Sequence, residues 1–164
     1  MNELIGTITN IALTLSFIVA LVFGIAQVKA AARDRRERLT LETLRNFQTH
    51  EFAELIHFIN VHDFPVDRKG MQALPDNEQV MFIQFAQQME SLGMLVAEKF
   101  ISIDLVDKTL GSFVSITWSK YKVMFQDIRD NQPDPFLGEY FQWLAERIDE
   151  RLSNNPRQPF YKHS

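Results

Sequence analysis

The chain contains no cysteine among its 164 residues, which excludes disulfides, thiolate metal sites and cysteine nucleophiles. Glycine is sparse: its six residues stand apart at 6, 24, 70, 93, 111 and 138, without the clustering and following Lys-Ser/Thr of a phosphate-binding loop. Serine-nucleophile signatures are missing too. Charge is missing altogether from Leu4 to Val28, and no Lys or Arg precedes that run. With 46% apolar and 23% charged residues, the composition is otherwise close to the globular average at a length of about one domain, which argues against a disordered chain, collagen-like repeats or a multidomain enzyme.

The uncharged run is twenty-five residues long, and fourteen of these are Leu, Ile, Val or Phe. As a helix it reaches roughly 37 Å, enough to cross a hydrocarbon core of about 30 Å with some tilt. Each large apolar residue favours insertion by about 0.3 to 0.6 kcal/mol near the centre, which together offset Thr7, Thr9, Asn10, Thr14, Ser16 and Gln27. Ala30-Ala31-Ala32 imitates a cleavage site, but a signal peptide needs a basic start and a shorter apolar core. An uncleaved transmembrane anchor over residues 1–32 is therefore expected.

Lys29, Arg33, Arg35, Arg36 and Arg38 follow the run directly as a basic cluster, and residues 33–48 are expected to form a basic juxtamembrane helix. Their one-sided placement predicts an outside amino terminus and a cytoplasmic domain, and the cluster also suits an anionic lipid surface. Within the run, Ala12, Ser16, Ala20 and Gly24 recur every four residues, a stripe of small side chains along which two helices can approach closely. Thr7, Asn10 and Thr14 form a second, polar stripe. Self-association or docking on a partner span is the expectation that follows.

From Leu39 onward, 12 Lys and Arg face 18 Asp and Glu, a net charge of −6. Such a domain repels phosphate backbones, so no nucleic-acid partner is expected. The best candidate for a recognition helix, Ser112 to Asp130, sets only Lys120, Lys122 and Arg129 against Asp127 and Asp130.

The periodicity is helical throughout, predicting an all-α chain: an amino-terminal transmembrane helix leading into a compact bundle of five or six helices, with the acidic domain at 49–154 and a loose tail at 155–164. Leu41, Leu44 and Phe47 mark an inward face at the end of the first helix. Thr49 is the expected N-cap of a helix carrying Phe52, Leu55, Ile56 and Ile59 and ending near His62. Asp63 to Pro75 reads as a long loop. Asp76 is expected to cap the next helix with Gln79 in capping-box position, and Gly93 to end it. A turn through Leu95 to Phe100 then leads to Ser102, which begins a short helix ending near Gly111. Val114, Trp118, Tyr121, Phe125 and Ile128 form the seam of a long helix. After a turn at Asn131 to Asp134, Asp134 and Pro135 begin the last helix, with Leu137, Phe141, Leu144, Ile148 and Leu152 inward.

Three stretches carry a resemblance. Arg35-Arg36-Glu37-Arg38-Leu39-Thr40-Leu41-Glu42-Thr43-Leu44-Arg45-Asn46-Phe47, Glu90-Ser91-Leu92-Gly93-Met94-Leu95-Val96 and Trp143-Leu144-Ala145-Glu146-Arg147 are similar to the bacterial domain-of-unknown-function family 4760. In that family an amino-terminal span often precedes a helical cytoplasmic domain, and the turn that reads Thr49-His50 in this chain is often Ser-Pro. The resemblance implies a bacterial inner-membrane protein and brings no catalytic residue.

No other residues rise to a catalytic or metal motif. His50-Glu51 opens like a metalloprotease helix, but position 54 is Glu. His50, His57 and His62 are expected to be solvated, as are the pairs Asp104/Asp107, Asp127/Asp130 and Glu146/Glu150, since acid–base work requires a desolvated carboxyl. The dense aromatics, twelve of fourteen Phe with both Trp and all three Tyr after the run, fit packing better than a cofactor pocket. No enzyme activity, cofactor or metal is expected. The anticipated role is assembly, as an accessory subunit at the cytoplasmic membrane face. A membrane-tethered sensor or enzyme with a pocket among the aromatic helices is the alternative.

Overall fold

The computed structural model describes residues 2–131, 134–158 and 160–162. The described residues contain six α-helices and no strand: α1 (Asn2–Asn46), α2 (His50–Val61), α3 (Arg68–Ala73), α4 (Asp76–Ala97), α5 (Ile103–Asn131) and α6 (Glu139–Asn154), followed by a 3-10 turn (Phe160–Lys162). The chain is all-α, as the periodicity predicts. It divides into two units, one ending at Leu39 and one starting at Thr40.

The first unit is helix alone. An 18-residue stretch within Ile5–Asn46 has a mean hydropathy of 2.4, and none of it is buried. Hydroxyls inside the run bond back along the helix: Thr9 Oγ1 donates to the Ile5 carbonyl (2.9 Å) and Thr14 Oγ1 to that of Asn10 (2.8 Å). This spares the hydroxyls an unpaired donor in an apolar setting.

The second unit is a bundle around a contiguous aromatic core. Thr49 caps α2 as expected, its hydroxyl accepting from the Phe52 amide (3.2 Å). Phe52, Leu55 and Ile59 are buried, Ile56 is half-buried, and His62 is the C-cap. Tyr121 stacks on Phe85, with ring centroids 5.2 Å apart, and also meets Phe64, Phe82, Phe125 and Phe141. The α5 seam is as predicted: Val114, Trp118, Tyr121 and Phe125 are buried and Ile128 is half-buried. On α6, Phe141, Leu144 and Ile148 are buried between α4 and α5, with Leu152 at the margin together with Leu137, which lies just ahead of the helix rather than, as expected, within it.

Several boundaries differ from the expectations. Thr40, not Leu41, is buried at the end of α1; Leu41 is exposed, and Leu44 and Phe47 are half-buried. The 63–75 loop holds α3, which Asp67 caps through the Gly70 amide (2.7 Å). Asp76 is the first residue of α4 rather than its cap. Pro75 takes the cap position, which puts Gln79 one residue past the capping-box position, and its side-chain amide donates instead to the Leu74 carbonyl (2.8 Å).

Gly93 does not end α4. It lies within the helix, where a Cβ would clash with the Tyr140 carbonyl oxygen, so its missing side chain lets α6 cross α4 closely. The helix ends four residues later in a Schellman motif: Lys99 is left-handed (φ 61°), with Phe100 N–H bonded to the Leu95 carbonyl (2.9 Å) and Lys99 N–H to that of Val96 (3.0 Å). Gly111 likewise interrupts nothing, and the two helices expected around it are the single α5. A Cβ at Gly111 would meet the Asp107 carboxylate, itself buried. Asp134 and Pro135 precede α6 without starting it. The Asp134 carboxylate accepts from the Phe136 amide (3.2 Å) in a local turn, and α6 begins after left-handed Gly138. Gln132 and Pro133 of the expected turn lie outside the described residues, as does Pro159 of the tail.

Candidate functional sites

On α1, Ala12, Ser16, Ala20 and Gly24 share one face and are all exposed. A Cβ added to Gly24 would meet nothing within 4 Å, so this chain supplies no packing reason for that glycine. Lys29, Arg33, Arg35, Arg36 and Arg38 are exposed as well. Arg33 donates to Glu37 (2.9 Å), which holds its guanidinium above the ordinary value.

The histidines do not converge. His50 pairs with Glu54 one turn away (3.3 Å) in solvent, His57 is exposed, and His62 bonds through Nδ1 to the Phe58 carbonyl (3.0 Å) while stacking on its ring. No group of three His, Asp or Glu side chains suited to a metal ion occurs among the described residues.

The carboxylate pairs are engaged in different ways. Asp104 accepts from Lys108 (2.6 Å) and Arg151 (3.1 Å); the Lys108 hydrogen bond, with the two cations, holds its carboxyl below the usual range. Asp127 accepts from the Arg68 amide (3.2 Å) and the Asn131 side chain (2.9 Å). Glu146 accepts from Gln142 (2.8 Å), and Glu150 pairs with Arg147 (2.8 Å). None of these bonds joins two carboxyls of a pair.

Sequence reasoning missed two features, both at the start of α6. Gly138 has no side chain to cap that helix, and Glu90 of α4 does so instead: Oε1 accepts from the Tyr140 amide (3.2 Å) and Oε2 from the Phe141 amide (2.9 Å). A carboxylate there satisfies two otherwise unpaired donors and complements the positive helix end. From α5, Arg129 donates Nε to the Leu137 carbonyl (2.7 Å) and Nη1 to Gln142 (2.6 Å). Glu90 and Gly93, one turn apart on α4, therefore act together on the same end of α6. Nothing local to residues 138–141 signals either contact, which span about fifty residues of sequence.

The second missed feature is an open groove of about 720 Å³ beside this junction, lined by Arg68, Met71 and Gln72 of α3, Phe82, Ile83, Ala86, Gln87, Glu90 and Ser91 of α4, Met124, Phe125 and Ile128 of α5, and Leu137 and Gly138. Its wall is largely apolar. Arg68 and Glu90 are the charged lining residues, and Glu90 spends both oxygens on α6. A smaller groove of about 430 Å³ lies between the end of α1, α2 and α4 and is lined mainly by hydroxyl and carboxamide side chains.

These features define a class: an all-α chain in which one long, apolar, uncovered helix accompanies a helical bundle whose last helix is capped from α4. The chain belongs to the DUF4760 family, a domain of unknown function, whose model matches residues 14–148. That match begins inside the apolar run and ends in α6, taking in all three stretches that carry the resemblance. No curated protein and no solved structure matches the chain.

Proposed function

We propose that the chain is a single-pass accessory subunit without catalytic activity of its own, anchored in the bacterial inner membrane with its amino terminus outside and the acidic bundle in the cytoplasm. The observation that carries this reading is the apolar stretch of α1, long enough to cross a bilayer, entirely uncovered, and followed by five cations. In water such a helix would leave a large apolar surface exposed; a bilayer removes that cost and satisfies the one-sided charge. The Ala12, Ser16, Ala20 and Gly24 stripe is the face on which a second copy or a partner span packs, and the cationic cluster rests at anionic headgroups. The tightly packed aromatic core supports an interaction role over an internal pocket.

The absence of cysteine makes topology directly measurable. Asn2→Cys should react with a membrane-impermeant maleimide in intact spheroplasts, and Ser153→Cys only after permeabilisation; the opposite pattern would refute the orientation. Crosslinking in native membranes should then recover a homo-oligomer or a defined membrane complex, and Gly24→Leu should weaken it. Recovery of the monomer alone would count against an assembly role.

A further inference from the structure

The groove between α3, α4 and α5 has a charge arrangement that selects a ligand. Of the two charged groups lining it, the Glu90 carboxylate is consumed by the amides of Tyr140 and Phe141. The Arg68 guanidinium, on an exposed residue, has no hydrogen bond or ion pair with any described residue; only the backbone amide of Arg68 is engaged, by Asp127. Apart from Gln72, Gln87 and Ser91 the rest of the wall is apolar, and it includes Met71 and Met124, whose flexible thioethers adapt to an irregular guest. At about 720 Å³ the volume falls within the roughly 300–1,000 Å³ of small-molecule sites.

An apolar trough with one uncommitted cation at its edge suits an apolar chain ending in one anion. We infer that this groove binds a single-chain anionic amphiphile, of the chemical class of a long-chain fatty acid, with its hydrocarbon along α4 and α5 and its carboxylate at Arg68. A neutral chain would forgo the charge contact at Arg68, whereas a dianionic headgroup would bring excess negative charge to a domain whose net charge is already −6 from Leu39 onward. The inference draws on the membrane-anchored reading only for the source of the ligand, because such molecules reside in bilayers.

The test uses the full chain in phosphatidylcholine nanodiscs with 11-(dansylamino)undecanoic acid as the probe, reading energy transfer from tryptophan. Trp118 is suitably placed, its ring 5.6 Å from that of Phe125 in the groove wall. Transfer should saturate, and hexadecanoate should displace the probe while methyl hexadecanoate does so only weakly. Arg68→Gln, at an exposed position, should weaken the carboxylate probe about fivefold, the scale of one partly screened charge contact. Ala86→Phe should fill the groove and abolish saturable transfer, with circular dichroism checking that the bundle is intact. Transfer that never saturates, or that saturates equally in wild type and both variants, overturns the inference. So does displacement by an amphipathic helical peptide but not by hexadecanoate, which would assign the groove to a protein partner. Loss of saturable binding with the predicted maleimide pattern defeats this inference alone; a reversed pattern with binding retained defeats the orientation alone.

Discussion

Phe17 and Phe23 on α1 are 69% and 65% exposed, whereas Phe82, Phe85 and Phe141 in the bundle are at 1% or below. The residue type is the same, and what differs is its arrangement. In the run from Leu4 to Val28 large apolar residues occur on most sides of the helix rather than on one, interrupted by the Thr7, Asn10 and Thr14 stripe, and those described are exposed. In the bundle they return at intervals of three and four, which gives each helix one inward side. A one-sided apolar stripe is matched to neighbouring helices, and α1 lacks one. The glycines divide along the same line: Gly24 has open space around it, while Gly93, Gly111 and Gly138 have atoms where a side chain would be.

The comparison can be broken most sharply at the aromatic core. Phe141 contacts Phe85, Trp118, Tyr121 and Phe125, and Phe141→Ala should destabilise the bundle by about 3–5 kcal/mol through lost burial and a residual cavity. Phe17→Ala should leave the bundle's unfolding transition unchanged. Urea titrations of the full chain in micelles, followed by near-ultraviolet circular dichroism, would check both; equal sensitivity at the two positions would mean that Phe17 belongs to the same cooperative unit.

A smaller difference is expected between the glycines. Gly93→Ala must displace the Tyr140 carbonyl and with it the end of α6 held by Glu90, at a cost of about 3 kcal/mol. Gly24→Ala meets nothing in this chain, so the same titration should show no change. Any effect of Gly24→Ala on association would arise from a second molecule, which separates packing inside the protein from packing between proteins.

Gly93 also shows where sequence becomes insufficient. A glycine near the end of a periodic stretch serves equally well as a helix stop or as a site of close approach, and only the path of another helix decides between them. At Gly93 and Gly111 the crossing helix is α6, which closes on both from far along the chain. The Thr49 cap, the α5 seam and the inward face of α6 were legible because each depends on residues within one or two turns. Six-residue α3 is too short to carry a periodic signature. The Glu90 cap and the groove depend on elements brought together only by folding, and no local pattern marks them. The Glu90 to Val96 stretch joins the helix cap and the close approach on one helix face, which gives it a structural role at the start of α6.

The finest contrast lies inside the bundle, at the centre of its own core. The Tyr121 hydroxyl is buried with no hydrogen-bond partner among the described residues, and burial pushes its ionisation far above the usual tyrosine range. A buried hydroxyl without a partner forfeits its bond to water, so Tyr121→Phe should stabilise the bundle by about 1 kcal/mol near neutral pH, unlike truncation of any ring around it. The sign with pH follows from which state holds the proton. Above about pH 10 the unfolded chain releases the phenolic proton while the folded chain retains it, so stability falls as pH rises past the unfolded value. Phe at position 121 cannot titrate, and the advantage of the variant should therefore widen between about pH 8 and pH 11 in urea midpoints measured side by side. A constant difference across that range would mean that the phenol is solvated or paired in the folded protein, and that the aromatic core is less completely sealed from water than its geometry indicates.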